Sequence, residues 1–213
     1  MKTYFCSDLH LGHINILKYE PCRLDAIYDK FFAKTSKHSK EEFKQYILNL
    51  YNSSAEADLK ELESIIKLHD KMLIDNWNSV VSKDDTVWFL GDFCFGSTNI
   101  KNYINKLNGH IKLIKGNHDK KSDAFYREAG FEYVSNYPIL LKKHFMLMHA
   151  PLDKFEPGFF YVYGHVHSSP NYETKTKNSI CACVERHEFK PFLISDFDKY
   201  ESKRIVYSTG GAN

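Results

Sequence analysis

Acidic, histidine and asparagine side chains recur at five places in the chain, each just after a short apolar run. The five segments are Asp8-Leu9-His10, Gly91-Asp92, Gly116-Asn117-His118-Asp119, His149-Ala150-Pro151 and Gly164-His165-Val166-His167. Short apolar runs bounded by polar residues are typical of buried strands. Because ligands collect beyond the carboxyl ends of the strands in an α/β sheet, we expect the five segments to surround one site. Their carboxylate, imidazole and amide groups suit divalent metal ions.

Two of these segments contain a closely spaced pair of candidate ligands. Asp8 and His10 are two positions apart, so on an extended segment both side chains point the same way, and His165 and His167 repeat that spacing. Such a pair can reach one ion, or two ions a few ångströms apart. Asp92 follows a very apolar run, where a carboxylate would be costly unless it is hydrogen-bonded or coordinated.

The charge of this ligand set favours phosphoester hydrolysis. Asp8 and Asp92 contribute two negative charges, so two divalent ions would leave an excess positive charge, which suits a phosphate ester better than a peptide carbonyl. Paired metals about 3.5–4 Å apart can activate a water and neutralise phosphoryl oxygens during in-line attack. His118 follows Asn117 directly, so the two side chains should diverge. That leaves His118 to face the substrate, where it could protonate a leaving oxygen.

Length and composition fit one cytoplasmic domain. A chain of 213 residues suits a single domain, with or without an insertion, and its net charge of +2 creates no field that would recruit nucleic acid or an acidic membrane. No run approaches the roughly 20 apolar residues of a membrane span, and we predict no signal peptide. Five irregularly spaced cysteines predict reduced thiols, and Cys181 and Cys183 are interpreted as small buried residues.

The spacing of apolar residues predicts helices between 23 and 81, with a polar linker at 34–40. Ser53 and Glu56 form a candidate capping box that opens a long helix. That helix has an apolar stripe of Leu59, Leu62, Ile66, Leu73, Trp77 and Val80, and His69 is interpreted as a core or boundary residue. Residues 3–6 and seven later segments are predicted strands, namely 86–90, 111–115, 145–149, 159–163, 180–185, 191–195 and 204–208.

Helices at about 98–107 and 121–129 separate the earlier strands, as in βαβ units. The later strands follow one another closely and are predicted to be antiparallel. Together these elements predict a two-layered β core flanked by helices.

The five segments, in this order, resemble the calcineurin-like metallophosphoesterase family, especially its small bacterial and phage-type members. The pattern is D-x-H, G-D, G-N-H-[DE], H and G-H-x-H, and all five blocks are present. The resemblance covers about residues 1–24 and 70–195. It implies an α/β (α+β four-layer) fold, a metallophosphoesterase-type β-sandwich flanked by helices. Residues 24–66 fall outside the resemblance and are interpreted as a helical insertion within a single domain spanning 1–213.

Carried over residue by residue, the resemblance implies a site for two divalent metal ions. One ion would be held by Asp8, His10 and His167, the second by Asn117, His149 and His165, and Asp92 would bridge both. His118 would be the acid or the substrate-contacting residue. Manganese is the expected metal, with iron, zinc or nickel as alternatives.

The chain departs from the family pattern beside the second segment. Many relatives carry G-D-x-x-D, whose second aspartate pairs with the histidine of G-N-H, but Phe95 occupies that position here. Asp119 and Asp8 are the open candidates for the partner of His118. His13 and Asn15 lie just past the first segment and are candidate substrate-binding residues, although a loop histidine is more often solvent-exposed.

We therefore predict a metal-dependent phosphoric ester hydrolase that acts on a small phosphoester. Diesters are preferred over monoesters, because no basic run or arginine cluster is present to clamp a monoester dianion. A phosphomonoesterase or a nuclease would use the same site, and nucleic acid is considered only as a substrate. The alternative of another class is a non-catalytic protein-binding scaffold, which the presence of His118 and every expected ligand disfavours. The natural substrate and the oligomeric state cannot be read from the sequence pattern.

Overall fold

The structure, a computed structural model, describes residues 1–96 and 100–193. Its strands are β1 Thr3–Cys6, β2 Thr86–Phe89, β3 His110–Ile114, β4 Tyr133–Ser135, β5 Ile139–Leu141, β6 Phe145–Leu147, β7 Phe160–Tyr163, β8 Ser179–Cys181 and β9 Phe192–Leu193. Its α-helices are α1 Ile16–Tyr19, α2 Cys22–Ile27, α3 Lys40–Leu50, α4 Glu56–Val80, α5 Ile100–Ile104 and α6 Asp123–Ala129. A π-helical turn at Tyr28–Phe32 continues α2, and a 3-10 turn at Val184–Arg186 follows β8.

The strands form two sheets. The first has the order β4-β3-β2-β1-β9 and is parallel except for β9, and the second has the order β5-β6-β7-β8. In the second sheet β5 is antiparallel to β6, whereas β6, β7 and β8 are mutually parallel. The prediction of antiparallel late strands is therefore wrong for these three. Their connections, at 148–159 and 164–178, are long enough to cross over and start the next strand in the same direction.

Alternating side chains give the first sheet two buried faces. From β1, Phe5 packs against the second sheet, whereas Tyr4 and Cys6 face the helices. The core between the sheets includes Phe5, Trp88, Leu90, Ile114, Phe145, Leu147, Phe160, Val162 and Ile180. The larger core lies between the first sheet and the helices. The predicted class, a β-sandwich flanked by helices, is confirmed.

The 25-residue helix α4 packs along the first sheet through the apolar stripe seen in the sequence. Leu62, Ile66, Leu73 and Trp77 are buried, whereas Leu59 keeps 49% of its surface exposed near the start of the helix. Trp77 Nε1 donates a hydrogen bond to the carbonyl of Asn108 at 2.9 Å, which satisfies the one polar group of this buried side chain. Helix α4 therefore anchors the segment that precedes it to the sheet.

The capping box forms at α3 rather than at α4. Helix α4 starts at Glu56 after Ala55 and has no side-chain cap, so the predicted pairing of Ser53 with Glu56 is wrong. Ser53 Oγ instead accepts from the backbone N–H of Ala55 at 3.1 Å, because the N-cap position is Ala55, two residues later. At α3, Ser39 Oγ accepts from the N–H of Glu42 at 3.2 Å, and Glu42 Oε2 accepts from the N–H of Ser39 at 2.7 Å.

Two short strands were not predicted. β4 and β5 have three residues each, too few to show a clear period in the sequence. The helices predicted at about 98–107 and 121–129 correspond to α5 and α6. The predicted strand 204–208 and the ends of two other predicted elements, residues 98–99 and 194–195, lie outside the described residues.

Two negative findings concern membranes and disulfides. Over the described residues, no helix combines the length and apolar character needed to cross a membrane. All five cysteines are unpaired, as predicted, and Cys181 and Cys183 are buried.

Candidate metal centre

The five polar segments meet at one end of the two sheets. Asp8 follows β1, Asp92 follows β2 and Asn117 follows β3, while His149 and His165 follow β6 and β7 of the second sheet. Because these strands are parallel, their carboxyl ends lie at the same edge of the sandwich. The expected convergence on one site is therefore seen in the structure.

Left-handed backbone turns direct most of these side chains. The residues with φ between 48° and 73° include Asp8, His10, Asp92, His165 and His167. Non-glycine residues seldom adopt this conformation, which is often associated with functional sites. The expectation that each close pair shares an extended segment is thus wrong. Asp8 is held in its turn by a hydrogen bond from its N–H to the carbonyl of Gly91 at 2.9 Å, and the N–H of His10 binds the carbonyl of Asp92 at 3.0 Å.

The first group of donor atoms consists of Asp8, His10 and His167. Asp8 Oδ1 lies 3.8 Å from His10 Nε2 and 3.6 Å from His167 Nε2. Asp8 and His10 are buried, and the rings of His10 and His167 have centroids 5.0 Å apart. Three donor atoms of the types that transition metals prefer therefore face a common point.

The second group consists of Asp92, His149 and His165, joined by the amide of Asn117. Asn117 Oδ1 lies 2.9 Å from His149 Nε2 and 3.0 Å from His165 Nδ1, and the two ring nitrogens are 3.2 Å apart. Asn117 and His165 are exposed, so this half of the site opens to solvent while the first group is enclosed.

Asp92 connects the two groups. Its Oδ2 atom is 3.6 Å from His10 Nε2 in the first group and 3.6 Å from His149 Nε2 in the second. The close pair His165 and His167 is divided between the groups, which is one of the two arrangements that its spacing allowed. One carboxylate thus lies within reach of both sets of donor atoms.

The donor atoms fit divalent cations better than they fit one another. Asp8 Oδ1 and His10 Nε2 are buried with no hydrogen-bond partner, and a buried polar atom without a partner costs about 1–3 kcal/mol. His149 Nδ1 faces the carbonyl of Leu90 at 2.7 Å, so this nitrogen must donate and Nε2 carries the lone pair. That lone pair points at the oxygen of Asn117, so two electron-rich atoms face each other. A cation bound by both atoms would make this arrangement favourable.

The charges around the first group also favour a cation. Burial lowers the pKa of His10 far below its usual range, which keeps this imidazole neutral and able to act as a ligand. Burial also lowers the pKa of His167, but the hydrogen bond to Glu185 and the charge of Asp8 outweigh it and raise that pKa to about 9. Negative charge that holds a proton on His167 would equally hold a metal ion there.

Asp119 has a structural role rather than pairing with His118. Its Oδ2 atom accepts from the N–H groups of Asp92 at 2.7 Å and Gly116 at 2.9 Å, and its Oδ1 atom from Phe93 at 3.4 Å. It therefore fastens the loop after β2 to the loop after β3. Asp119 and Asp8 were the open candidates for the partner of His118. The structure instead places Asp92 Oδ2 at 4.0 Å from His118 Nε2.

Gly116 supplies the space in which Asp92 lies. A Cβ atom at this position would lie 2.2 Å from Asp92 Oδ1 and 2.6 Å from the Asp92 nitrogen. Real Cβ atoms essentially never approach so closely, so any side chain here would displace the carboxylate. The glycine of the third segment is therefore required by the close approach of two loops.

His118 lies at the open side of the site, with 39% of its side chain exposed. Its ring centroid is 5.3 Å from that of His10 and 6.5 Å from that of Phe95. His118 also lines a cavity of about 240 Å³ together with Phe95, Lys120 and Lys121. His118 thus lies outside the two groups of donor atoms.

His13 is buried, contrary to the usual exposure of a loop histidine. Its ring stacks on Phe95 with the centroids 4.3 Å apart and the planes 9° apart, and its Nδ1 atom lies 3.4 Å from His10 Nδ1. Burial lowers the pKa of His13 to about 4, so it is neutral near pH 7. Asn15, the other candidate, is exposed and precedes α1 without a side-chain cap.

Three further residues around the first group were missed. Glu185 accepts a hydrogen bond from His167 Nδ1 at 2.9 Å and forms an ion pair with Arg23. Cys183 Sγ donates a hydrogen bond to Asp8 Oδ2 at 3.3 Å. Burial raises the pKa of Glu185, but Arg23 and His167 more than compensate and lower it to about 2. The signal for Glu185 was present, because it ends the predicted strand 180–185.

The fold and this arrangement of donors define a metallophosphoesterase-type protein, and comparison with known sequences agrees. The sequence profile described as calcineurin-like phosphoesterase matches residues 1–180. The chain belongs to the calcineurin-like phosphoesterase family. Membership implies a hydrolase that acts on phosphoesters, and the two candidate metal-binding groups agree with the two divalent ions typical of the family.

Individual relatives extend this similarity over the whole chain. The uncharacterized protein MJ1445 of Methanocaldococcus jannaschii is 29% identical over 218 residues, covering 98% of this chain and 96% of that protein. The Gene 66 protein of Mycobacterium phage L5 is 42% identical over 121 residues, covering 55% of this chain and 39% of that protein. The crystal structure of AQ665, a protein of unknown function from Aquifex aeolicus, has a similar fold. It superposes with a TM-score of 0.57 at 20% identity and covers 93% of this chain and 98% of that one.

Proposed function

We propose that this protein is a cytoplasmic phosphodiesterase that uses two divalent metal ions to hydrolyse a small phosphoester. The observation that carries the proposal is the pair of donor groups joined by Asp92, the first of which contains buried atoms of Asp8 and His10 without a hydrogen-bond partner. Structural zinc sites are closed by four protein ligands, whereas here the second group opens to solvent. A substrate could reach it.

The first ion would be held by Asp8, His10 and His167, the second by Asn117, His149 and His165, with Asp92 shared. Imidazole and carboxylate together suit manganese, and iron, zinc or nickel are the alternatives. When bound, such a pair supplies Lewis-acid activation of water and neutralises charge on the phosphoryl oxygens. Two divalent ions beside the two carboxylates, Asp8 and Asp92, would leave a net positive site that attracts a phosphodiester anion.

His118 would supply the proton for the leaving oxygen. Its side chain is exposed enough to meet a substrate, and its Nε2 atom is close to Asp92 without being one of the grouped donors. A positioned general acid contributes about 10²–10⁴-fold to a rate. The leaving group would therefore depart on the side of His118.

The surroundings of His118 support a diester whose leaving group carries a ring. Phe95 has 53% of its surface exposed and its ring is supported from behind by His13. Lys120 and Lys121 line the same cavity and could meet a further negative charge on the leaving group. A nucleotide or an oligonucleotide end has both features, so nucleic acid enters as a possible substrate. Asn15 is kept as a weaker substrate-binding candidate.

The test compares initial rates on bis-p-nitrophenyl phosphate and p-nitrophenyl phosphate, with manganese and after chelation. We expect turnover that stops with chelator and is faster on the diester. Equal or faster monoester turnover would reject the diester preference. Absence of turnover on both, in a protein shown to carry its metals, would favour a protein-binding scaffold.

A further inference from the structure

A buried network of side chains connects the first donor group to the helices. We define the Arg23 relay as Arg23 on α2, His69 and Asp70 on α4, and Glu185 in the 3-10 turn after β8. Arg23 and His69 have no exposed surface, and the side chain of Glu185 is 1% exposed. Charged groups are seldom buried to this extent unless each is paired.

Every N–H of the Arg23 guanidinium has an acceptor. Nε donates to Glu185 Oε1 at 2.8 Å, and Nη2 donates to the same carboxylate and to the carbonyl of Asp8 at 2.7 Å. Nη1 donates to the carbonyl of Leu9 at 2.9 Å and lies 2.9 Å from His69 Nε2. The guanidinium has five donors and no acceptor, so the five contacts use all of them.

The relay determines the hydrogen positions on two histidines. Because Arg23 can only donate, His69 Nε2 must accept, and His69 Nδ1 then donates to Asp70 Oδ1 at 3.1 Å. At the other end, Glu185 Oε1 accepts from His167 Nδ1 at 2.9 Å. With Nδ1 committed to Glu185, the lone pair of neutral His167 is on Nε2, the atom that faces Asp8 Oδ1.

The relay also holds the backbone of the first segment. Arg23 binds the carbonyls of Asp8 and Leu9, which are adjacent to the left-handed turns at Asp8 and His10. Asp70 accepts from the N–H of Gly12 at 3.1 Å through each of its oxygens. The first segment and the turn that follows it are thus held by side chains from α2 and α4.

The position of the relay along the chain relates it to residues 24–66. Arg23 immediately precedes this helical segment and His69 closely follows it, and the two side chains meet at 2.9 Å. The two ends of the segment are therefore joined directly beneath the first donor group. A displacement of α2 against α4 would separate Arg23 from His69, and a displacement of α2 against the sheets would separate it from Glu185 and the Asp8 carbonyl.

We infer that the Arg23 relay is a positioning device for the first metal ion, and that it makes retention of that ion depend on the docking of the helical segment 24–66. The inference rests on the ligand assignment under the proposed function. Groups behind metal ligands commonly change metal affinity about 10–100-fold when they are altered. Arg23 contacts the Asp8 carbonyl and Glu185 contacts His167, whereas His69 and Asp70 act through Arg23 and Gly12.

The experiment measures manganese binding to the metal-free full chain by calorimetry. We expect two ions per wild-type chain. In Glu185→Gln, one ion should keep its wild-type affinity and the other should weaken by about 10–100-fold. Asp85→Asn is the matched control. Asp85 is a buried carboxylate that binds the N–H groups of Lys2 and Ser82 at the start of β2, remote from the donor groups.

A second pair of variants keeps the test independent of whether Glu185→Gln folds. His69→Leu removes the acceptor for Arg23 and should weaken one ion, whereas His69→Gln places an amide oxygen near the lost Nε2 and should recover most of the affinity. In the zinc-loaded protein, long-range proton–nitrogen spectra should show the His167 proton on Nδ1 in the wild type. In Glu185→Gln, the spectra should show the His167 proton on Nε2 or distributed between the two ring nitrogens.

Specific outcomes would overturn the inference. The first is that both Glu185→Gln and His69→Leu bind two manganese ions with wild-type affinity. The second is that Asp85→Asn weakens manganese binding as much as Glu185→Gln does. The third is that the wild-type chain binds neither manganese nor zinc. The readout uses no substrate. A chain that loses one ion as expected but hydrolyses no phosphoester would support the relay and reject the proposed function.

Discussion

At the scale of single residues, backbone conformation positions the candidate ligands as much as residue type does. Five of them adopt left-handed φ values, and Asp119 holds the loops that contain Asp92 and Gly116 through backbone hydrogen bonds. Such strained positions persist only where the surrounding structure determines them. The residues that fasten the loops should therefore affect the site as strongly as some of the ligand candidates.

His118→Gln should lower kcat by about 10²–10⁴-fold, because it removes a general acid while keeping a polar side chain of similar length. Manganese stoichiometry should stay at the wild-type value, since His118 is outside the grouped donors. Steady-state rates on bis-p-nitrophenyl phosphate combined with calorimetry test this. Loss of a bound ion in the variant would reassign His118 as a ligand.

Asp119→Ala should destabilise the protein by at least about 2 kcal/mol. It leaves the N–H groups of Asp92, Phe93 and Gly116 without their acceptor in a buried loop, and an unsatisfied buried donor costs about 1–3 kcal/mol. Urea unfolding gives the value. Asp84→Ala, at an exposed acidic residue, is the control and should change stability by less than about 0.5 kcal/mol. A similar loss in both variants would contradict the role given to Asp119.

At the scale of elements, helix α4 both packs against the first sheet and contributes side chains to the Arg23 relay. Its middle and end pack in the core beneath the first sheet through Leu73 and Trp77. On the same helix, His69 contacts Arg23 and Asp70 binds the N–H of Gly12, just after the first segment. Helix α3 packs against α4 and has its own capping box. The helical segment 24–66 is therefore connected to the candidate metal centre through α2 and α4, at its two ends.

The two serine caps give a prediction at this scale. Ser39→Ala should cost about 1 kcal/mol, because it removes the acceptor for the Glu42 N–H at the start of α3. Ser53→Ala, which the sequence would have made equally costly, should have a smaller effect, since Ser53 does not cap α4. Differential hydrogen exchange over α3 and α4, with chemical unfolding, measures both. Equal losses in the two variants would contradict the absence of a side-chain cap at α4.

At the scale of the whole molecule, metal binding should couple to folding. The candidate site collects side chains from loops after five strands of two sheets, and an unfolded chain cannot present them together. A ligand that binds only the folded state stabilises it by RT ln(1 + [L]/Kd). The two sheets and the loops between them should therefore unfold at a higher temperature with metal than without it.

Manganese at 100 times its Kd should stabilise the folded chain by about 2.7 kcal/mol for each site, and chelator should reverse the effect. This corresponds to an increase in Tm of several degrees for a domain of this size. Scanning calorimetry of the metal-free and manganese-loaded protein measures it. An unchanged Tm at saturating manganese would argue against metal binding by the folded state.

The sequence alone determined which residue types lie at the candidate site and which chemistry they favour. The order Asp8, Asp92 and Asn117, each after an apolar run of a predicted βαβ unit, was enough to predict that these three converge, since strand ends of a parallel sheet share one edge. His149 and His165 follow strands that were predicted to be antiparallel, so the reason that they lie at the same edge came from the structure. The apolar stripe of α4 likewise predicted its buried face. These features are local, so periodicity and composition record them.

Only the tertiary structure decided the geometry that depends on distant residues. Arg23 and Glu185 are 162 positions apart, and each resembles an ordinary surface charge until the docking of α2 brings them into a buried pair. The left-handed turns at Asp8 and His10, the shared position of Asp92 and the parallel second sheet also depend on contacts across the fold. A local pattern reports how a segment alternates between core and solvent, whereas these features depend on which segments meet.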